Sequence, residues 1–330
     1  MNTQKERKNN IPKVPRLERT KKIAIEYLNY ADIRSLPINF FTLPIPDMNE
    51  WIIIEYEEAQ KIMKVSDPFN IVERKADART LLKRGDRNYV TVYKKSQTPE
   101  RDYYTLAHEL GHIVLSHLTS FKETALSRGG LDAKQYSILE AEADLFAAEL
   151  LMPYPVLKKL QPNTPAAICE ICKTSKYSST RRFSDLKRYH LPNYLKKTCI
   201  MVIENFNDFI NKRYCVNCNS GFISHGGNYC SICGNKTKKW GDVKVVYDSI
   251  ELSEKGKAKV CPICENENTN LRGDYCQICG ANLVNKCTKC NTPLTGDARF
   301  CEFCGSKSTY FENGLLEDYQ KYQDKLEMPF

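Results

Sequence analysis

Six cysteine pairs with the spacing Cys-x-x-Cys constrain what this chain can fold into more than any other feature. They form three successive units after residue 214 and contain twelve of the fifteen cysteines. An aromatic residue precedes the second pair of each unit, at Tyr229, Tyr275 and Phe300. Four thiolates on two facing turns make a closed tetrahedral zinc site, so each unit is expected to need one structural zinc ion for folding. The units are Cys215, Cys218, Cys230 and Cys233; Cys261, Cys264, Cys276 and Cys279; and Cys287, Cys290, Cys301 and Cys304.

The three units resemble zinc ribbons, which are small β modules. Their predicted bounds are residues 210–235, 261–281 and 285–306, with a linker at 236–260 that includes a strand at 243–247. An amphipathic helix is expected within 310–330, with Leu315, Leu316, Tyr319 and Tyr322 on one side. The tips of the units are polar, without strong positive charge or repeated aromatic residues. Docking to protein is therefore favoured over binding to nucleic acid, although nucleic acid stays an alternative.

Composition restricts the cellular context. Paired cysteines with metal-binding spacing indicate a reducing compartment rather than a disulfide framework. No segment approaches the roughly 20 apolar residues of a membrane span, and no apolar run follows the first basic residues, so a cytoplasmic protein without a membrane partner is expected. The formal charge is +9. Basic residues concentrate in 1–20, predicted to be a flexible arm, and in 173–197, which suits nucleic acid, an acidic partner or simply solvent.

A second motif, His-Glu-x-x-His, lies at residues 108–112. On a helix this spacing places His108 and His112 one turn apart on the same face, where both can bind one metal ion. Glu109 lies beside that ion and is the candidate general base. Zinc held in this way lowers the pKa of a bound water, and the carboxylate can pass the water's proton to a leaving amine. The motif therefore predicts peptide hydrolysis.

The motif helix is expected from Pro99 to His117, because Thr98 and Pro99 are typical residues of a helix start. His117 is predicted to point away from the metal, at the surface or in contact with a ligand. A strand at 88–93 just before the helix is expected to border the cleft and to pair with an extended substrate. The peptidase class with a third histidine is excluded, because Leu115 and Leu118 occupy its required glycine and histidine positions.

The third ligand is expected from the helix at residues 140–153. Apolar side chains cover most of its circumference, and Glu142 and Glu149 share the remaining polar sector. Glu140 and Asp144 lie inside the apolar arc, where carboxylates need a metal or hydrogen-bond donors. Glu140 is therefore assigned as the third zinc ligand and Asp144 as the acceptor that orients a ligand histidine. Glu142 is the alternative ligand.

Residues 101–112 and 140–153 together resemble the ImmA/IrrE family of metallopeptidases, over roughly residues 20–195. The resemblance implies an α+β, zincin-like core with a small β-sheet, assigned to 21–200, and one catalytic zinc bound by His, His and Glu. It also implies a regulatory protein substrate, often a helix-turn-helix transcriptional repressor. Position 144 is commonly Asn in the family, so Asp144 is a departure.

The predicted protein is thus a zinc endopeptidase with four zinc ions, one catalytic and three structural, whose ribbons target the substrate. The alternative is a zinc-ribbon adaptor or nucleic-acid-binding protein whose peptidase-like domain does not hydrolyse. Cys169 and Cys172 form a seventh Cys-x-x-Cys, but no second pair lies near them, and Cys199 stands alone. These three cysteines are interpreted as small apolar residues of helices.

Overall fold

The computed structural model describes residues 11–83, 85, 87–121, 133–188, 192–224, 226–236, 238–241, 245–269 and 272–327. It divides into two compact units, one ending at Ile210 and the next beginning at Asn211. The first unit mixes helices with a small sheet, and the second contains short strands and the cysteine units. A search of these ranges finds no helix with the length and apolar character of a membrane span.

The helices of the first unit include α3 and α4, which carry the site described below. They are α1 (Leu17–Tyr30), α2 (Tyr56–Met63), α3 (Pro99–Val114), α4 (Ala133–Leu151), α5 (Tyr154–Leu160), α6 (Pro165–Cys172), α7 (Lys176–Arg188), α8 (Lys196–Asn205) and α9 (Asn207–Asn211). Short 3-10 turns occur at Phe40–Thr42, Pro68–Asn70 and Asn193–Leu195.

Three strands form the sheet of the first unit: β1 (Glu50–Glu55), β2 (Ala78–Lys83) and β3 (Asn88–Tyr93). β3 lies in the centre, parallel to β1 and antiparallel to β2. The prediction that residues 88–93 pair with an extended substrate is therefore wrong, because a strand paired on both sides has no free edge for a substrate. A strand pattern identifies a strand but not its position in a sheet, which depends on pairing with distant residues.

Helices α3 and α4 cross closely at Gly111. A Cβ built on Gly111 would lie 3.2 Å from the Cα and the carbonyl oxygen of Ala143 and 3.3 Å from the Cβ of Phe146. Only the missing side chain permits this approach, as the sequence predicted. The crossing brings the ligand-bearing faces of the two helices together.

Residues 1–20 were expected to form a flexible arm. Residues 1–10 lie outside the described ranges, but from residue 11 onwards this expectation needs correction. Ile11 belongs to a buried cluster with Phe121, Ile138 and Leu139, and α1 begins at Leu17. Basic composition suggested a solvated arm, and several of these side chains are exposed, but contacts with residues more than 100 positions away bury Ile11 and hold Arg16.

The second unit contains β4 (Lys212–Cys215), β5 (Gly221–Ile223) and β6 (Lys238–Lys239), followed by α10 (Thr309–Glu312) and α11 (Tyr319–Glu327). β4 is central and antiparallel to both neighbours. The C-terminal helix is shorter than expected, because Leu315 and Leu316 precede it. Tyr319 and Tyr322 pack against the first cysteine unit. Within the expected strand at 243–247, residues 243 and 244 lie outside the described ranges, and Val245 makes one isolated bridge with Ser220.

Candidate metal centre and active site

Three side chains from α3 and α4 bring their donor atoms together. Nε2 of His108 lies 3.2 Å from Oε2 of Glu140, and Nε2 of His112 lies 3.3 Å from Oε1 of the same carboxylate. The two Nε2 atoms are 3.1 Å apart. A tetrahedral zinc ion with bonds of about 2.0–2.1 Å separates its nitrogen and oxygen ligands by roughly 3.3 Å. The donor set and its spacing therefore fit one zinc ion.

Asp144 orients His108. Its Oδ1 lies 2.8 Å from Nδ1 of His108 and accepts a second hydrogen bond, also of 2.8 Å, from the hydroxyl of Tyr104. Burial would raise the pKa of Asp144, but these hydrogen bonds outweigh it and lower the pKa. An ionised carboxylate only accepts, so His108 carries a proton on Nδ1, and its other ring nitrogen, Nε2, faces Glu140.

His112 is oriented from behind by His117. Their Nδ1 atoms are 3.1 Å apart, and Nε2 of His117 lies 3.0 Å from Oε2 of Glu142. Arg16 donates to the same carboxylate from its backbone amide, Nε and Nη2 at 2.6, 2.8 and 2.7 Å. Burial would raise the pKa of Glu142, yet the bonds from Arg16 and His117 lower it.

The protonation of this chain of contacts follows from its ends. Glu142 accepts, so His117 donates from Nε2. Burial lowers the pKa of His117 to about 4, although Glu142 acts in the opposite direction, and this low pKa keeps the ring neutral. Nδ1 of a neutral His117 then accepts from Nδ1 of His112. His112 is left with an unprotonated Nε2 directed at His108 and Glu140, the form in which imidazole binds metal.

His117 lies against His112, which is one of the two positions expected for it, whereas the other, at the surface, is wrong. The ring is 1% exposed, so it is not at the surface. Helix α3 ends at Val114, and Ser116 has a φ of +61°, in the left-handed region. This turn carries the amide of His117 back to the carbonyl of His112 at 2.9 Å. An extrapolated helix would have rotated His117 away from the metal ligands.

The two glutamates of the polar sector of α4 are buried, whereas Glu140 and Asp144, which were expected inside the apolar arc, are partly exposed. The side chain of Glu142 is 0% exposed, whereas those of Glu140 and Asp144 are 29% and 56% exposed. Glu149 is buried with Arg182, whose Nη1 and Nη2 donate to it at 2.9 and 2.6 Å. Glu142 therefore holds Arg16 and His117 and is not part of the His108, His112 and Glu140 cluster.

The carboxylate of Glu109 ends a chain of hydrogen bonds from the sheet. Trp51 Nε1 donates to the hydroxyl of Thr91 at 2.7 Å, and the hydroxyls of Thr91 and Thr80 are 2.6 Å apart. Thr80 donates to Oε2 of Glu109 at 2.5 Å. The hydroxyl of Thr80 has one proton, which it donates to Glu109, so it must accept the hydrogen bond from Thr91. No local sequence signal indicated these three residues, because the strand pairing of Thr80 with Thr91 creates the chain.

The electrostatics of the cluster favour an ionised third ligand. Burial lowers the pKa of His108, but hydrogen bonds with Asp144 and Glu140 outweigh it and raise that pKa to about 10, so a metal ion bound at Nε2 would replace a proton there. Burial raises the pKa of Glu140, while the bonds with His108 and His112 dominate and lower it. Glu140 is thus a carboxylate, as a metal ligand requires.

A groove of about 1150 Å³ adjoins this cluster. Tyr104 and Asp144, which contact each other and His108, lie in its wall. The groove continues along α4 and α7 past Leu145, Met152 and Arg181. Its size accommodates several side chains of a polypeptide.

The cysteine units form three further clusters, each with its sulfur atoms within 4.8 Å of one another. In the first, Cys215 lies 3.6 Å from Cys233, and Cys218 lies 3.6 Å from Cys230. Tetrahedral zinc with Zn–S bonds of about 2.3 Å separates its sulfurs by roughly 3.8 Å, so these clusters fit closed zinc sites. The corresponding distances are 3.6 and 3.6 Å in the second cluster and 3.4 and 3.7 Å in the third.

Comparison with known families finds two matching models. The IrrE N-terminal-like domain of the M78 peptidases matches residues 68–165, and the double zinc ribbon matches residues 261–305. Residues 68–165, the M78 segment, are therefore similar to an IrrE-like domain. None of the curated proteins compared with the chain matches it.

The M78 match spans β2, β3, α3 and α4, and therefore all three residues of the His108, His112 and Glu140 cluster. Arg16 and Arg182, which hold the buried glutamates, lie outside it. The predicted family, the α+β fold class and the three small cysteine clusters are confirmed. The double zinc ribbon covers the second and third units, and the first shows the same cysteine arrangement outside the matched range.

The three remaining cysteines lie on helices of the first unit. Cys169 and Cys172 belong to α6 and Cys199 to α8. Burial raises the pKa of Cys172 to about 12 and that of Cys199 to about 11. The thiol of Cys169 donates to the carbonyl of Thr174 at 2.8 Å. Cys172 and Cys199 thus behave as buried apolar residues rather than as thiolates.

Proposed function

We propose that the M78 domain is a zinc-dependent endopeptidase that cleaves a regulatory protein, with a helix-turn-helix transcriptional repressor as the candidate substrate. The observation that carries this proposal is the convergence of His108, His112 and Glu140. Both histidines are hydrogen-bonded at Nδ1, which leaves Nε2 free for a metal ion. Three protein ligands leave a fourth position open, the arrangement typical of catalytic zinc.

The side chains around the cluster suit peptide hydrolysis. Bound zinc supplies Lewis-acid polarisation of the scissile carbonyl and lowers the pKa of water. Glu109 follows the ligand His108 directly and is 9% exposed, so it can accept the proton of the attacking water and deliver it to the leaving amine. The hydroxyl of Thr80 restrains one oxygen of this carboxylate and leaves the other, Oε1, for the proton.

Strand β2 is the proposed docking edge for the substrate. Within the described residues it pairs only with β3, so its other edge has no strand partner. The contact from Thr80 to Glu109 places β2 beside the candidate base. An extended peptide that adds to β2 by main-chain hydrogen bonds would lie along the motif helix, and the groove beside Asp144 would take its side chains.

The ribbons are proposed to select the substrate rather than to take part in the chemistry. A site closed by four thiolates has no open position for water. A tethered binding module raises the local concentration of its target. A chain ending near residue 210 should then keep the His108, His112 and Glu140 zinc yet cleave its natural target more slowly. Equal cleavage by that truncated chain and the full chain would remove the targeting role.

The test of hydrolysis is Glu109→Gln, incubated with candidate repressors beside the wild type and Glu58→Gln, a control in an exposed carboxylate of α2. Loss of the general base should slow cleavage at least about 100-fold without loss of zinc. Stable capture of a substrate by Glu109→Gln alone would identify it. Repressor loss at equal rates in wild type and Glu109→Gln would exclude hydrolysis by this site and favour the adaptor alternative.

A further inference from the structure

The first and third ribbons pair through equivalent backbone segments. The amides of Asn228 and Tyr229, the two residues before Cys230, donate to the carbonyl of Glu302 at 2.7 and 2.9 Å. The amides of Arg299 and Phe300, the two residues before Cys301, donate to the carbonyl of Ser231, both at 2.8 Å. Ser231 and Glu302 each follow the first cysteine of their pair. The four bonds are therefore related by an approximate two-fold axis.

The aromatic residue of each ribbon completes this symmetric contact. Tyr229 packs on Gly305, where a Cβ would lie 2.8 Å from the ring, and Phe300 packs on Gly234, where a Cβ would lie 3.1 Å from the ring. Both glycines directly follow the second Cys-x-x-Cys pair. The pairing face thus consists of an aromatic residue, the Cys-x-x-Cys turn and a glycine that gives the opposite ring room.

The second ribbon has the same face in the same conformation. Its residues 275–280 read Tyr-Cys-Gln-Ile-Cys-Gly, against Tyr-Cys-Ser-Ile-Cys-Gly at 229–234 and Phe-Cys-Glu-Phe-Cys-Gly at 300–305. Gly280 has a φ of +74°, as has Gly305, and its amide donates to Cys276 at 2.9 Å as that of Gly305 does to Cys301. The face is therefore already formed before anything binds it.

Nothing among the described residues covers this third face. Tyr275 is 62% exposed, and a Cβ on Gly280 would meet no atom within 4 Å. The amides of Asp274 and Tyr275 and the carbonyl of Gln277, the three groups that would bond across a pair, have no hydrogen-bond partner in the described part of the chain. Ile278 beside them is 72% exposed.

We propose that this face of the second ribbon, residues 274–280, binds the same face of a second copy of the chain. A pairing that is two-fold needs two equivalent faces, and two of the three in one chain are already paired with each other. The remaining partner of matching shape and hydrogen-bond pattern is residues 274–280 of another copy. The amides of Asp274 and Tyr275 would donate to Gln277 of the second copy, and each Tyr275 would pack on the other Gly280.

The charge of the face permits self-association. Asp274 is the only ionised side chain in residues 274–280 apart from the zinc-binding thiolates, and Lys286 lies 3.3 Å from its Oδ2. The repulsion between two copies of Asp274 is thereby reduced. The face is small, so the dimer should be weak and depend on concentration. This inference goes beyond the proposed function and needs no peptidase activity.

Sedimentation of the zinc-loaded full chain over a concentration series tests the inference. A monomer–dimer equilibrium is expected, and Tyr275→Ser should weaken it at least about tenfold, because a central aromatic anchor carries much of a small interface. Ile263→Ser is the matched control, since Ile263 is 61% exposed on the other cysteine turn of the same ribbon. It should leave the equilibrium unchanged. Zinc content measured in each variant verifies that the ribbons are folded.

A photoreactive residue at position 275 identifies the occupant directly. In a mixture of isotope-labelled and unlabelled chains, cross-links between copies at residues 274–280 would support the proposal. Capture of residues of the same chain, capture of only unrelated proteins, or a monomer at every concentration would overturn it. Equal weakening by Tyr275→Ser and Ile263→Ser would also overturn it, because the loss would then not be specific to the proposed face.

Discussion

Substitution of His117 tests how the candidate zinc site is oriented. His117→Phe preserves a planar ring in a pocket where the native ring is 1% exposed, but removes the acceptor 3.1 Å from Nδ1 of His112. His112 can then carry its proton on Nε2, the atom that should bind zinc. Loss of such an outer hydrogen bond lowers metal affinity by roughly 10- to 100-fold, or about 1.4–2.7 kcal/mol.

The same change has a separate effect on folding. Glu142 keeps its contacts with Arg16 but loses one hydrogen bond to its charged group, which costs about 1.5–3 kcal/mol of the free energy of unfolding. Metal affinity must therefore be measured on protein shown by circular dichroism to be folded. Competition with a chromophoric chelator measures the affinity of the exchangeable zinc, and the three ribbon zincs serve as an internal reference.

A conservative variant separates orientation from packing. His117→Asn can present a carbonyl oxygen to Nδ1 of His112, so it should retain much more zinc affinity than His117→Phe. The reasoning is refuted if folded His117→Phe binds the exchangeable zinc as tightly as the wild type, because His112 would then be oriented without His117.

Three further predictions concern the support of the site and the metal content. Thr80→Val removes the hydroxyl that donates to Glu109 and should reduce the cleavage rate roughly 10- to 100-fold at unchanged zinc content, whereas Thr80→Ser should restore most of it; equal rates for both variants would contradict the role of the hydroxyl. Glu149→Gln leaves Arg182 charged and buried, so calorimetry should show that the free energy of unfolding falls by about 3–5 kcal/mol. The control is Asp77→Asn, in the exposed ion pair with Arg101, which should leave Tm unchanged. Elemental analysis should find four zinc ions per chain, of which a mild chelator removes one first; a content near one would mean that the cysteine clusters do not bind zinc.

Local spacing was sufficient to predict which candidate ligand side chains would lie close together on a helix or a turn. His108 and His112 are four residues apart, and helix geometry alone places them on one face. Each pair of cysteines lies on one turn, so its sulfurs are close whatever the rest of the chain does. Gly111 could likewise be predicted to permit a close crossing, because the absence of a side chain is a local property.

The surroundings of those ligands could not be predicted, because they depend on residues far away in the chain. Arg16, which is 126 positions away in the sequence, donates hydrogen bonds to the buried carboxylate of Glu142. The polar sector of α4 is for this reason part of the interior. Thr80 reaches Glu109 only after β2 pairs with β3, and this pairing also decided which strand has a free edge. His117 contacts His112 because α3 ends at Val114, a boundary on which side-chain periodicity gives little information.

The ribbons show the same division between local and tertiary determination. Repetition of the cysteine spacing determined that three similar modules would form, since each draws its cluster of four cysteines from its own residues. Which two modules pair, and which face stays exposed, depends on the path of the chain between them. The first and third ribbons meet through bonds between residues about 70 positions apart, while the second, with a similar local sequence, keeps Tyr275 exposed. Similar local chemistry can thus have different surroundings, because packing is decided by the whole chain.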